Sequence, residues 1–306
     1  MTAITVVGEA LVDIVPGRDS VQEIPGGSPA NVALGLGRLG VPVDFLTWLG
    51  DDERGRRVEE HLVHSGVHLM AGSHSAPQTS TAQVELDAAG QAHYHFELSW
   101  DLASDVPADT GWIHTGSIGA FLQPGATKVL DAVERTKRAG GIVSFDPNIR
   151  PVLLPAHRLA LGWFERLAAS TTILKLSDED AGWLYPGLSS GEVLDHLLAR
   201  GVALAILTEG AKGSVLSTSQ DRVTVASDCV PVVDTVGAGD TYMAALLWQL
   251  LSTADLPSSW SPQQLAEIGR TCARAAAITV GRQGADLPTL AELADAIDQP
   301  CYSPHS

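Results

Sequence analysis

Asp234-Thr235-Val236-Gly237-Ala238-Gly239-Asp240-Thr241 lies between the apolar run Val230 to Val233 and a helix-like stretch from Gly239 to Leu251. The run before it reads as a strand, so the eight residues form a strand-to-helix turn. Gly237, Ala238 and Gly239 are small enough to turn backbone N–H groups toward one point at a helix N-terminus. Such a point favours an anion, and above all a phosphate whose charge grows during transfer. Asp240 in the first turn is then placed to take a proton from a hydroxyl attacking that phosphate. A capped helix with an acidic first turn explains the same residues without any ligand. The stretch alone does not separate the two.

Outward from that turn the alternation repeats. Ala3–Gly8, Val43–Leu49, Ile142–Phe145, Ile173–Leu176 and Ala203–Leu207 read as strands. Asn31–Leu39, Glu53–His64, Pro124–Arg138 and Pro262–Val280 read as helices, with Gly66 and Gly140-Gly141 as stops. Strands alternating with helices build a doubly wound α/β fold, a parallel sheet covered on both faces. Thr81–Leu98 departs from the pattern: Val84 and Leu86 share one face, Asp87-Ala88-Ala89-Gly90 supplies a turn, and Tyr94, Phe96 and Leu98 share a face beyond it. This is a β-hairpin. Being marginal alone, it belongs to a small sheet used as a lid or a subunit contact.

Composition narrows the function classes. The 306 residues suit one large domain, assigned here to 1–298, with the polar, proline-containing 299–306 as a frayed tail. Thirty-six acidic against 19 basic residues give a formal charge of −17, which opposes a non-specific nucleic-acid or membrane-surface binder. A small anion site remains open, because it is local. Cys229, Cys272 and Cys301 are few, odd in number and far apart, so neither a disulfide framework nor a zinc site is indicated. No basic leader precedes Ile4–Val7, and no apolar run reaches the ~18 residues of a membrane helix. A cytoplasmic protein is expected.

The remaining motifs each carry two readings. Gly35-Leu36-Gly37-Arg38-Leu39-Gly40 satisfies the dinucleotide fingerprint but sits at the end of a helix rather than its start, so helix packing and a C-terminal stop explain it. In Pro25-Gly26-Gly27-Ser28-Pro29-Ala30-Asn31 the glycines let backbone approach a ligand, and Asn31 offers a donor and an acceptor to a polyol; a plain loop is the alternative. Asp13 follows the first strand, at the sheet edge where ligands bind in open α/β folds. Thr208-Glu209-Gly210-Ala211-Lys212-Gly213 suits a turn passing a nucleotide, or a hairpin. Phe145-Asp146-Pro147-Asn148-Ile149-Arg150 and Lys175-Leu176-Ser177-Asp178-Glu179-Asp180 each end a strand and bring scarce cations, Arg150 and Lys175, to the same edge. His61, His64, His68, His93 and His95 lack a completing ligand set and read as solvated surface.

Together these stretches resemble the ribokinase/pfkB-type carbohydrate kinases, fructokinases in particular, over Val6 to about Leu290. The resemblance rests on Gly26–Asn31 with Leu49-Gly50-Asp51-Asp52-Glu53-Arg54-Gly55, and on Asp234–Thr241. It implies a ribokinase-like fold with a β lid from about residues 10–24 and 81–98, which in such enzymes often pairs with a second subunit's lid. It implies Asp240 as catalytic base and Gly237, Ala238 and Gly239 as the anion hole. Asp13, Gly26, Gly27, Asn31, Phe96 and Arg150 correspond to the sugar site; Lys175, Thr208, Gly210 and Gly213 join Gly237 and Gly239 at the nucleotide. Asp234, Val236 and Gly284 resemble a monovalent-cation loop suited to K⁺. Where the family commonly has Asn-x-x-Glu near Mg²⁺, this chain has Ser177-Asp178-Glu179-Asp180, leaving Glu179 and Asp180 both as candidates to influence the metal. The implied reaction is phosphoryl transfer from Mg-ATP to a primary hydroxyl of a small sugar, fructose first. Ribose and 2-keto-3-deoxygluconate are the alternatives within the family, and a catalytically inactive sugar- or nucleotide-binding regulator stands outside it.

Overall fold

Apolar runs of period two become strands and those of period 3.6 become helices, in the order β1 (Ile4–Val7), β2 (Leu11–Pro16), β3 (Val21–Gly26), α1 (Ser28–Arg38), β4 (Val43–Leu46), α2 (Glu53–Val63), β5 (Val67–Leu69), β6 (Thr81–Leu86), β7 (Ala92–Glu97) and β8 (Trp112–Gly116). There follow α3 (Ser117–Phe121), α4 (Gly125–Arg138), β9 (Ile142–Asp146), α5 (His157–Ala169), β10 (Ile173–Ser177), α6 (Asp178–Leu184), α7 (Ser190–Leu198) and β11 (Leu204–Thr208). The chain closes with β12 (Ser214–Ser217), β13 (Arg222–Val225), α8 (Ala238–Leu251), α9 (Pro262–Val280) and α10 (Leu290–Asp298). The structure is a computed structural model and describes residues 2–16, 21–86, 92–253, 256 and 259–298. The expected turn at Asp87–Gly90 and the tail 299–306 lie outside the described residues.

Among the described residues, nine strands form one sheet in the order β13-β12-β11-β10-β9-β8-β1-β4-β5. Its strands run parallel from β11 to β5, while β12 and β13 are antiparallel additions at one edge. The chain moves outward from β1 to β4 and β5, then returns to β8 on the other side of β1. That reversal between β1 and β8 opens a crevice at the carboxyl ends of the strands, where α/β folds bind ligands. Alternation along the strands feeds two cores. In β11, Leu204 and Ile206 face the core shared with α1, α8 and α9, while Ala205 and Leu207 face the core of α4, α5 and α7. Phe145, wholly buried between Phe121 and Phe164, anchors the second core.

A separate four-stranded sheet, β3-β2-β6-β7, forms the expected small β layer. Direct register places Ile24, Asp13, Ala82 and Phe96 in one row across it, hence on one face. Asp13 therefore lies within β2, in the small sheet, rather than on the loop closing β1. Two further expectations need correcting. Val230–Val233 is not a strand: Val232 and Val233 are 66% and 62% exposed, and the Val233 N–H donates to the Val280 carbonyl at the end of α9. With β13 ending at Val225, no strand among the described residues offers these valines a ladder. The strand expected to run to Leu49 stops at Leu46, and Leu49 is instead buried in the loop beyond.

Candidate active site

Gly237 is the N-cap of α8 and adopts φ +78°. A Cβ there would meet the Ala285 side chain at 2.7 Å, so glycine is required for both conformation and space. Lacking a capping side chain, this terminus leaves the N–H groups of Gly239 and Asp240 without a partner among the described residues, while the Ala238 N–H donates to the Thr235 carbonyl at 3.3 Å. Asp240 is the third residue of α8 and is buried. Its Oδ1 accepts from Ser28 Oγ at 2.6 Å and its Oδ2 from Asn31 Nδ2 at 2.8 Å. Both donors stand on the first turn of α1, which packs along α8 with Gly35 against Ala244. Burial pushes the Asp240 carboxyl pKa up, opposed by those two hydrogen bonds and by the charges of Lys175 and Arg150.

The glycines at residues 26 and 27 are required by close protein neighbours. A Cβ on Gly26 would meet Asp13 Oδ2 at 2.2 Å, and one on Gly27, at φ +105°, would meet the Glu9 carbonyl at 2.7 Å. They admit protein neighbours, and so fasten the start of α1 to β1 and β2. Asp13 is thereby held close to the crevice; burial raises its pKa to about 6 against the pull of Arg150. Arg150 is exposed, follows Asn148 at φ +36°, and faces Asp240 as well as Asp13. Phe96 shares the row of Asp13 on the small sheet.

Thr208 ends β11, Gly210 takes φ +53°, and Gly213 takes φ +103° where a Cβ would meet the Val225 carbonyl at 2.0 Å. This is a tight β11–β12 hairpin turn at the same carboxyl edge as α8's N-terminus. Asp234 Oδ1 accepts from the Val236 N–H at 3.0 Å and Oδ2 from the Gly284 N–H at 2.9 Å, so the three cation-loop candidates do converge. Glu179 is exposed, whereas Asp180 is buried and spends one oxygen on the Ile149 N–H (2.7 Å) and the other on the Ser177 N–H (3.0 Å). Lys175 is not presented at the edge. Its side chain is buried, and Nζ donates to Asp146 Oδ2 at 2.6 Å. The dinucleotide look-alike is resolved as packing: Gly35 and Gly37 face Leu287 and the Ser65 carbonyl, and Gly40 ends α1 at φ +79°.

Two site residues were missed by sequence reasoning. Ser28 was legible only as a small polar residue at a helix start. Glu9 follows β1, and its Oε2 accepts from the Gly119 N–H at 2.7 Å while its Oε1 is buried with no partner. Burial raises its pKa to about 7. The signal available was an acidic residue directly after an apolar strand, at the edge where ligands bind.

A profile of the pfkB family carbohydrate kinases matches residues 1–292. A fructokinase of Vibrio alginolyticus is 31% identical over 309 residues, covering 98% of this chain and all of the relative. A double mutant of Vibrio cholerae fructokinase, solved with fructose, ADP and potassium ion, superposes with a TM-score of 0.84 at 26% identity, over 97% of this chain and 99% of that one. Aminoimidazole riboside kinase from Salmonella enterica, solved with aminoimidazole riboside and an ATP analogue, gives 0.83 at 26% identity, over 97% and 100%. This chain belongs to the pfkB family of carbohydrate kinases. It is a phosphotransferase acting on an alcohol acceptor, built on the ribokinase-like fold.

Proposed function

We propose that this protein transfers the γ-phosphoryl of Mg-ATP to a primary hydroxyl of fructose. The observation that carries the mechanism is the buried Asp240 carboxylate, fixed by Ser28 and Asn31 beside the open N-terminus of α8. Asp240 takes the hydroxyl proton, and the N–H groups of Gly237, Ala238, Gly239 and Asp240 stabilise the transferred group. Both Asp240 oxygens keep a lone pair for that proton, because each accepts a single hydrogen bond from the described side chains. The sugar lies in the crevice between β1 and β8, where Asp13 and Asn31 orient its hydroxyls and Arg150 balances charge. The small sheet closes over it, with Phe96 as an apolar contact, and excludes water that would otherwise accept the phosphoryl group. Fructose follows from the fructokinase relatives; the aminoimidazole riboside kinase is the observation behind a second reading, in which the acceptor is a riboside.

Thr208, Gly210 and Gly213 border the nucleotide. Mg²⁺ would supply charge neutralisation on the phosphates, with the exposed Glu179 and the buried Asp180, whose oxygens each accept one backbone hydrogen bond, as the two carboxylates placed to influence it. A monovalent cation would be held by Asp234, the Val236 carbonyl and Gly284, and would stiffen the loop behind the anion hole. The exposed edges of the small sheet suit pairing with a second copy. No helix of the described residues is long and apolar enough to cross a membrane.

A panel of Mg-ATP phosphorylation over fructose, tagatose, ribose, 2-keto-3-deoxygluconate and adenosine tests the assignment. Fructose with the highest kcat/KM is expected, and turnover of none of them overturns it. Because burial raises the Asp240 pKa, the rate should fall with falling pH earlier than for an ordinary aspartate.

A further inference from the structure

Lys175 occupies a position where the alternation of β10 calls for an apolar side chain. Leu174 and Leu176 enter one core and Ile173 the other, so Lys175 points with Ile173 toward the layer containing α8. Its side chain is 4% exposed and that of its partner Asp146 is 3% exposed. Such a pair is a poor device for stability, since two apolar residues of similar size would hold the layers together as well. Its location offers a better reason. Lys175 Nζ lies 3.5 Å from where a Gly239 Cβ would stand, so the ammonium abuts the anion-hole backbone where a side chain is missing.

We propose that Lys175 is a positioning residue for phosphoryl transfer: anchored by Asp146, its ammonium stands behind the anion hole at Gly239 and offsets the repulsion between the Asp240 carboxylate and the incoming phosphate. This rests on the kinase reading given above. Asp240 and a γ-phosphoryl group are both anionic and must come within bonding range of one hydroxyl. Arg150 is exposed to solvent, whereas the field of a buried cation is little screened. The groups facing Lys175 are Asp146 on β9, Asp180 on α6, Asp240 on α8, His114 on β8 and Cys272 on α9. Burial works against its charged form, yet the three carboxylates outweigh that and keep it protonated. Glu9, Asp146 and Arg150 also face Asp240. The Asp146 Oδ1 atom, buried and unpartnered, marks Asp146 as the anchor whose other oxygen is committed to Lys175.

The test is the double variant Lys175→Met/Asp146→Asn, which removes both charges and leaves neither partner buried alone. Expected are a wild-type-like melting profile, kcat lower by about 100-fold, the size of losing one anion-hole donor, and a sugar KM within about threefold. The acid limb of the kcat–pH profile should move to higher pH, whereas Lys175→Arg, which keeps the charge, should leave it in place. A folded double variant with wild-type kcat and acid limb overturns the proposal. If the wild type phosphorylates none of the sugars, the kinase reading fails and a second measurement decides. That measurement is ¹³C titration of the Asp240 carboxyl in the ligand-free protein, expected to move to higher pH in the variant and refuting the proposal if unchanged. Should the double variant not fold, the same titration on Lys175→Arg and Lys175→Met decides it: a shift in Met alone supports the role, and equal midpoints refute it.

Discussion

Asp180 and Asp240 occupy the same place in two helices: each is a buried aspartate at the third residue of a helix starting at the carboxyl edge of the sheet. Their fates differ because of the residue three positions earlier. Before Asp180 stands Ser177, whose hydroxyl accepts from the Asp180 N–H while the Asp180 carboxylate accepts from the Ser177 N–H, a closed capping box. Before Asp240 stands Gly237, which has no side chain to complete such a box. The α6 terminus satisfies itself and is chemically silent. The α8 terminus leaves the Gly239 and Asp240 N–H groups without a partner among the described residues, and its carboxylate turns to donors on α1. One N-cap residue separates an aspartate closed into its own helix terminus from one left to partners on another helix, the one proposed as the base.

The sharpest way to break that comparison is Asp240→Asn. It should lower turnover roughly 10³-fold while ADP binding, measured by calorimetry, survives. Near-normal turnover would put Asp240 back among the structural aspartates. A third buried carboxylate, Glu9, tests burial without a catalytic role. Its pKa is raised to about 7 in the folded protein, so its contribution to stability is complete below the unfolded value and is lost as pH climbs toward 7. Glu9→Gln cannot ionise and should gain on the wild type by up to about 3 kcal/mol between pH 4.5 and about pH 8 in urea titrations. An unchanged difference would show that Glu9 stays ionised throughout.

Asn31→Ala and Ser28→Ala remove the donors that distinguish Asp240. Each should lower kcat roughly 10- to 30-fold, with smaller changes in sugar KM for Ser28→Ala, as expected from losing one hydrogen bond to a charged group. Equal, purely KM-type effects would make both residues sugar contacts only. The smallest change is expected from Asp180→Ala, about 1–2 kcal/mol of stability by urea denaturation with kcat within about threefold. A large loss of turnover with unchanged stability would move Asp180 into the metal site.

The elements that sequence reasoning located were those with a clean period and a glycine stop. Pro262–Val280 was bounded to the residue, and the helices around Asn31–Leu39 and Glu53–His64 to within a few. Val230–Val233 misled because valines signal a strand only when a neighbouring strand exists, and that is decided by distant chain. The antiparallel edge β12–β13 went unread for the opposite reason, its short strands being interrupted by polar residues. In the site, local chemistry exposed Asp240 and its glycines. What remained hidden were the long-range partners: Ser28 and Asn31 reach Asp240 across 212 and 209 positions, and Glu9 reaches Gly119 across 110. The burial of Lys175 was legible in principle, as a cation inside an otherwise apolar strand.

The pairing of α1 with α8 also bears on how the protein is made. At a synthesis rate of about 5–20 residues per second, roughly 10–40 s separate the emergence of Ser28 and Asn31 from that of Asp240. During that interval the face of α1 that will receive Ala244 has no partner, and β1 has only part of its sheet. The pairing that positions Asp240 is therefore complete only after about four-fifths of the chain has been made.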